Sequence, residues 1–184
     1  MKKEITYFET IKENHTLETF EIVEQKLKET GIKKVVLAST TGRTALVAME
    51  FFSGKGVTLV VIPHQYGFSD EENRFPQSVV EILRENGHEV HFGTMLFHTE
   101  RLYGSSIPNV IADFLRCFSE GVKVCIEITL MAADGGLVKN GESVIAVAGT
   151  GANSDTALVM QAATTRSLKK LRVNEILCKP YNTS

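Results

Sequence analysis

The segment from Lys34 to Phe52, KVVLASTTGRTALVAMEFF, holds the most informative chemistry in the chain. A β-branched run stops at Ser39-Thr40-Thr41-Gly42-Arg43-Thr44, and an apolar stretch with helical spacing, Ala45 to Phe52, begins at once. A strand-to-helix junction of this kind aims free backbone N–H groups and the positive end of a helix dipole at one point. Ser39, Thr41 and Thr44 add hydroxyl donors and Arg43 a full positive charge. Gly42 lets the backbone turn close to a ligand without a Cβ in the way. These are the parts of a phosphate cradle. The same hydroxyls could equally do no more than cap the helix.

Other nucleotide signatures are absent or incomplete. There is no GxxxxGK[ST], which argues against a P-loop. Gly149-Thr150-Gly151-Ala152-Asn153-Ser154 approaches GxGxxG but ends in Ser, and the DTALVM that follows reads as a strand rather than a helix. The expectation there is a tight turn that borders a ligand crevice, as loops at the carboxyl ends of parallel strands do. His64-Gln65-Tyr66-Gly67-Phe68 follows the run VTLVVIP and should emerge on the same edge as the hydroxyl loop. It offers an aromatic surface for a planar ring, although a surface turn with a packed aromatic fits it as well.

Lys123 to Thr129, KVCIEIT, reads as a buried strand, which by period two puts Glu127 and Thr129 on one face near the strand end. A carboxylate there needs a partner or a ligand, an arginine salt bridge being the ordinary answer. Thr129 at the strand end then leads into a loop, Leu130 to Gly136, that holds Met131 and Asp134. The five histidines lack metal-ligand spacing, no GxSxG elbow appears, and Cys125 reads as an inert core residue. Binding is better supported than any particular reaction.

The elements that must position these loops alternate. Ile5 to Phe8 is a short candidate strand, and Thr16 to Thr30 places Leu17, Phe20, Val23 and Leu27 on one helical face before a Gly31 cap. Lys34–Ala38, Val57–Ile62, Glu89–Phe92, Lys123–Thr129 and Ser143–Ala148 read as strands, with Ala157–Met160 and Asn174–Cys178 closing the chain. Helices are expected at Ala45–Phe52, Pro76–Glu85 and, with interruptions, Leu96–Glu120. This order predicts one α/β domain over residues 1–184, a mostly parallel sheet with helices on both faces and antiparallel strands at one edge.

The chain has 184 residues, a formal net charge of −2 and three scattered cysteines. One domain of this size needs no disulfide or metal staple. Near-zero charge gives no electrostatic argument for nucleic acid or an anionic membrane. The first residues, MKKEITYFETIKENH, lack the apolar run of a signal peptide, and no stretch reaches the length of a membrane span. The expectation is a cytoplasmic protein, with self-association left open by its apolar composition and exposed sheet edge.

Ser39-Thr40-Thr41-Gly42-Arg43-Thr44-Ala45 resembles the Ser/Thr-rich GR[ST]A turn in the C-terminal α/β domain of pyruvate kinase. GESVIAVAGTGANSDTALVM also resembles that family's strand, glycine-rich turn and strand near its C-terminus. In regulated members the hydroxyl loop holds a phosphate of a sugar-bisphosphate effector. The resemblance implies that Ser39, Thr41 and Thr44 supply hydroxyls, and Thr40, Gly42 and Arg43 mainly backbone N–H groups. Pyruvate kinase catalysis resides in a separate barrel for which 184 residues leave no room, so that reaction is not implied. VCIEITLMAADGG and EILCKP look closer to small stand-alone prokaryotic proteins of this fold, which resemble binders of flavin mononucleotide (FMN) without an established reaction. On that resemblance the phosphate of FMN would sit at Ser39–Thr44. Its ring would rest against Tyr66, Phe68 or Met131, with Gln65, Thr129 or Asp134 reaching polar ring atoms. The enzyme version is a flavin-dependent oxidoreductase, and the alternative is a regulatory module sensing a sugar phosphate or nucleotide.

Overall fold

A computed structural model describes residues 2–68 and 73–182. Seven strands form one sheet: β1 (Thr6–Phe8), β2 (Lys34–Ala38), β3 (Thr58–Ile62), β4 (Glu89–Val90), β5 (Ser143–Ala148), β6 (Thr156–Gln161) and β7 (Arg172–Pro180). Their spatial order is β1-β7-β6-β5-β2-β3-β4. β2 pairs in parallel with β3 and β5, β3 with β4, and β1 with β7, whereas β6 runs antiparallel to both of its neighbours. The sheet is therefore mostly parallel. The reversed strand, however, is one internal strand and not a set at the edge, because β7 turns back into the common direction and β1 covers it.

Among the described residues six α-helices accompany the sheet: α1 (Thr16–Thr30), α2 (Arg43–Phe52), α3 (Gln77–Glu85), α4 (Glu100–Tyr103), α5 (Ile107–Arg116) and α6 (Glu120–Asp134). Period-two alternation sorts the strand residues between two layers. Val35, Leu37, Leu59, Val61, Ile145 and Val147 pack with Phe20, Val23, Ala45, Ala48, Phe52, Val80 and Leu83 of α1, α2 and α3. Val36, Val60, Ile62, Val144, Ala146 and Leu158 pack on the other face with Val122, Cys125, Ile128, Met131 and Ala132 of α6. Strands buried on both faces explain why KVVLA, TLVVI and SVIAVA read as unbroken apolar runs.

α1 stops where its sequence requires. Gly31 adopts the left-handed conformation (φ 71°) and its N–H donates to the Leu27 carbonyl. Leu17 departs from the expected apolar face, lying in the first turn and largely exposed. None of the described helices is long and apolar enough to cross a membrane.

The main correction concerns KVCIEIT. It is the central part of the helix α6, not a strand. Its β-branched residues favour a strand locally, but the longer segment obeys helical rules. The Ser119 hydroxyl accepts from the Val122 N–H as an N-cap, and Glu120 sits in the first turn where the dipole favours it. Lys123 and Glu127 meet at i, i+4, and the Thr129 hydroxyl donates back to the Cys125 carbonyl. A helix buried among sheet and helices needs apolar residues nearly all round, which over seven residues is indistinguishable from a buried strand. Glu127 and Thr129 consequently do not share a face. Cys125 is a core residue as expected, with burial pushing its thiol pKa well up.

Candidate functional site

β2, β3 and β5 lie side by side and end at the same rim of the sheet. The chain leaves β2 toward β3 on one side, while β5 returns on the other side of β2. Such a reversal opens a crevice outside the carboxyl ends of the strands. A cavity of about 480 Å³ occupies it, within the roughly 300–1,000 Å³ typical of small-molecule sites. Its wall combines Ala38–Thr41 and Thr44 after β2, Ile62–His64 and Phe68 after β3, and Gly149 and Gly151–Asn153 after β5. Arg74, Met95 and His98 close one side, and a stripe of α6 forms another.

Among the described residues, most N–H groups of the loop after β2 have no protein partner. Ser39 N–H donates weakly to the Ile62 carbonyl (3.4 Å), and Ser39 Oγ accepts from the Ala45 N–H (3.3 Å). The first intrahelical bond of α2 runs from Leu46 N–H to the Gly42 carbonyl. Between these, the N–H groups of Thr40, Thr41, Gly42, Arg43 and Thr44 have no protein acceptor among the described residues. Gly42 makes the bend possible at φ 84°, a left-handed conformation unfavourable to any residue with a Cβ. α3 adds a second constraint, because a Cβ on Gly42 would lie 3.0 Å from Val79 Cγ1. Ser39 thus satisfies one N–H of the first turn of α2, whose N-cap is Gly42.

The second loop supports the first. Thr40 Oγ1 and His64 Nε2 lie 3.3 Å apart. Burial, then the neighbouring His98 and Arg74, hold the His64 pKa below the ordinary imidazole value. Phe68 sits edge-on between His64 and His98, with ring centroids 4.8 and 5.1 Å away. The third loop, Gly149–Asp155, is the hairpin connection between β5 and β6. The buried Asp155 carboxylate fixes it by accepting from the Thr150 N–H (2.9 Å) and the Thr156 hydroxyl (2.7 Å). Its glycine pattern serves this turn and not a dinucleotide fingerprint, as the following strand already indicated.

α6 contributes Glu120, Lys123, Val124, Glu127, Ile128 and Met131, one face at spacings of three and four. Lys123 and Glu127 are almost completely buried and paired at 2.9 Å, and Glu127 Oε1 also accepts from the Phe97 N–H at 2.9 Å. Burial raises the Glu127 pKa, but the His98 contact, the Lys123 charge and the Phe97 amide outweigh it and leave the carboxyl below its usual range. The partner is therefore a lysine one helical turn away, where the sequence pointed to an arginine. His98 Nδ1 lies 3.4 Å from Glu127 Oε1, close enough for charge attraction, yet buried without an aligned hydrogen bond.

Of the residues singled out in the sequence, Ser39, Thr40, Thr41, Thr44, His64, Phe68 and Met131 come together on this cavity wall. Gly42 and Arg43 lie in the same loop but not on the cavity wall, the Arg43 side chain being exposed. The others are engaged elsewhere. Gln65 Oε1 accepts from the Met95 N–H (2.8 Å), and the exposed Tyr66 packs on Phe92. Gly67 makes the intervening turn (φ 71°), Thr129 is buried on another side of α6, and Asp134 accepts from the Thr165 N–H. Arg74, His98, Glu120 and Lys123 are the charged or titratable wall residues that sequence reading missed, beside apolar ones such as Met95, Val124 and Ile128. For Glu120 and Lys123 the signal was the helical stripe with Glu127, hidden by the strand assignment; Arg74 and His98 carry no comparable local pattern. No family model matches the chain.

Proposed function

We propose that this chain binds a phosphorylated small molecule, FMN, with the phosphate on the N–H groups of Thr40–Thr44 and the ring system in the adjoining cavity. The observation that carries this reading is the run of amides from Thr40 to Thr44 without an acceptor among the described residues, beside a cavity that Thr40, Thr41 and Thr44 line at the carboxyl ends of three adjacent strands. Buried or cavity-lining N–H groups are costly without partners, and an anion at a helix N-terminus meets both their hydrogen-bonding capacity and the dipole. Phe68, Met95, Val124, Ile128 and Met131 provide the apolar wall that a flat aromatic ring requires, and Arg74, His64, His98 and Lys123 the polar groups at its margin. The fold is read as pyruvate kinase C-terminal domain-like on the resemblance of its hydroxyl loop and glycine-rich hairpin.

When bound, FMN supplies two-electron redox chemistry, and a flavin-dependent oxidoreductase is the enzyme form of this proposal. The protein's own groups would bind and orient it. The backbone of Thr40–Thr44 holds the anion, His64 braces Thr40, and the Lys123–Glu127 pair fixes the cavity wall on α6.

Titration of the purified chain with FMN, read by quenching of flavin fluorescence, tests this. Saturable binding is expected, at least tenfold weaker for riboflavin, which lacks the phosphate; a tenfold change corresponds to about 1.4 kcal/mol. A Kd above about 1 mM for FMN overturns the flavin reading. If a sugar bisphosphate or nucleotide then stabilises the protein, the same cradle belongs to a regulatory module. A hundredfold excess of ligand over Kd stabilises by about 2.7 kcal/mol, which a thermal melt resolves.

A further inference from the structure

The helix α5 presents its apolar face to solvent. Pro108, Ala112 and Leu115, at spacings of four and three, form the inner side, packed toward α6 and the 3₁₀ turn Leu96–His98. Ile107, Val110, Ile111 and Phe114 form a stripe of the same period on the outer side, 65, 63, 44 and 68 % exposed. Leu102 and Tyr103 of α4 and Phe118 after α5 are exposed beside it in sequence. A solvent-facing helix normally shows the opposite polarity.

We propose that this stripe is the contact surface of a two-fold dimer of this chain. Three observations favour a second copy over other occupants. The first is extent. Ile107, Val110, Ile111 and Phe114, continued by Phe118 four residues on, expose on the order of 600 Å², the upper end of the roughly 300–600 Å² patch of an ordinary monomer. Leu102 and Tyr103 of the adjoining α4 bring the exposed apolar surface toward the roughly 800 Å² one partner gives to a standard interface. The second is self-complementarity. In an isologous contact residue i meets j and j meets i. Antiparallel crossing of two α5 helices at the midpoint between Val110 and Ile111 places Val110 against Ile111 and Ile107 against Phe114, with a large apolar residue at every position.

The third is charge. Arg116 is already paired within the chain, with Asp113 at 2.8 Å and with Glu120 at 2.6 Å. A rim neutralised in this way does not repel its own copy. It also lacks the excess of Lys and Arg that draws an amphipathic helix to an anionic bilayer. Glu100, Asp113 and Glu120 outnumber Arg101 and Arg116 around the stripe.

Sedimentation velocity of the full chain tests the proposal. The expected species has twice the monomer mass of 20.3 kDa, with a Kd at or below micromolar, the weak end for interfaces of this area. Val110→Asp with Phe114→Glu should weaken dimerisation at least about a hundredfold, because each copy would bury unpaired carboxylates. Circular dichroism and melting of the diluted monomer should stay unchanged, since both residues are exposed. Ile107→Lys provides an independent variant with the same expectation. A monomeric wild type overturns the proposal, and so does a wild-type dimer that both variants leave intact. Binding of the monomer to lipid vesicles through the stripe would assign it to a membrane instead. Failure of both variants to fold would show that the stripe is covered within the chain, which also overturns it.

Discussion

Replacing Gly42 by alanine separates the two roles of the loop after β2. The residue sits at φ 84°, and holding an L-residue in the left-handed region costs about 1–2 kcal/mol. The new Cβ would also meet Val79 Cγ1 at 3.0 Å and Cγ2 at 3.2 Å, so α3 must yield by a few tenths of an ångström. Overpacking at the low end of its range adds about 1 kcal/mol. The expected destabilisation is about 2–3 kcal/mol, and at about 2–4 °C per kcal/mol for a chain of this size Tm falls by roughly 4–12 °C. Relief of this strain by rotation of the Thr41–Gly42 peptide is expected to take one amide from the anion. Losing one hydrogen bond to an anion costs about 1.5–3 kcal/mol, or roughly 10- to 150-fold in Kd. Arg43→Ala, one residue on, removes an exposed side chain that takes no part in the cavity wall, and should change Tm and affinity by no more than about 0.5 kcal/mol. Fluorescence titration with FMN, well below Tm, and a thermal melt give both numbers. Wild-type stability and affinity in Gly42→Ala, or a larger affinity loss in Arg43→Ala, would refute the backbone cradle.

Other outcomes follow from the buried groups. Glu127→Ala strands the buried Lys123 and should destabilise by about 3–5 kcal/mol in chemical denaturation, whereas Lys123→Met with Glu127→Leu should cost less than that single change. Because the Glu127 pKa is lowered on folding, its stabilisation is present above the ordinary carboxylate pKa and is lost as pH falls through the folded value; wild-type melts should show this acid loss and Glu127→Gln should show less of it. His15 behaves oppositely. Burial lowers its pKa, but Glu18 at 2.8 Å and the Thr10 carbonyl at 2.9 Å raise it further, so its increment is full below pH about 6.5 and fades as pH rises. His15→Gln should flatten the Tm-versus-pH curve on that side. Gly149→Ala drives a Cβ into the Asn153 carbonyl oxygen and should lower Tm while loosening the third wall of the cavity.

The sheet was legible because strands covered on both faces write themselves as short apolar runs, as in KVVLA, TLVVI and SVIAVA. α1 was legible because its cap and its period agree, even though Leu17 turned out to lie outside the buried face. α6 was not, because burial on nearly every side erases the amphipathic period that distinguishes helix from strand. That one error hid the stripe from Glu120 to Met131 and separated Lys123 from Glu127, so a buried ion pair looked like a lone carboxylate. The first two loops of the cavity were visible as residue types at strand ends. Arg74 and His98 were not, since only the folded chain brings the segments after β3 and β4 to the same rim.

The central claim concerns five amides, and their NMR signals test it most directly. In ¹⁵N-labelled protein, added FMN should shift the Thr40, Thr41, Gly42, Arg43 and Thr44 resonances, and inorganic phosphate should move the same set. Riboflavin should leave them largely in place. Resonances of Thr40–Thr44 that stay fixed in the presence of excess FMN, in a chain whose remaining spectrum is folded, would contradict the account.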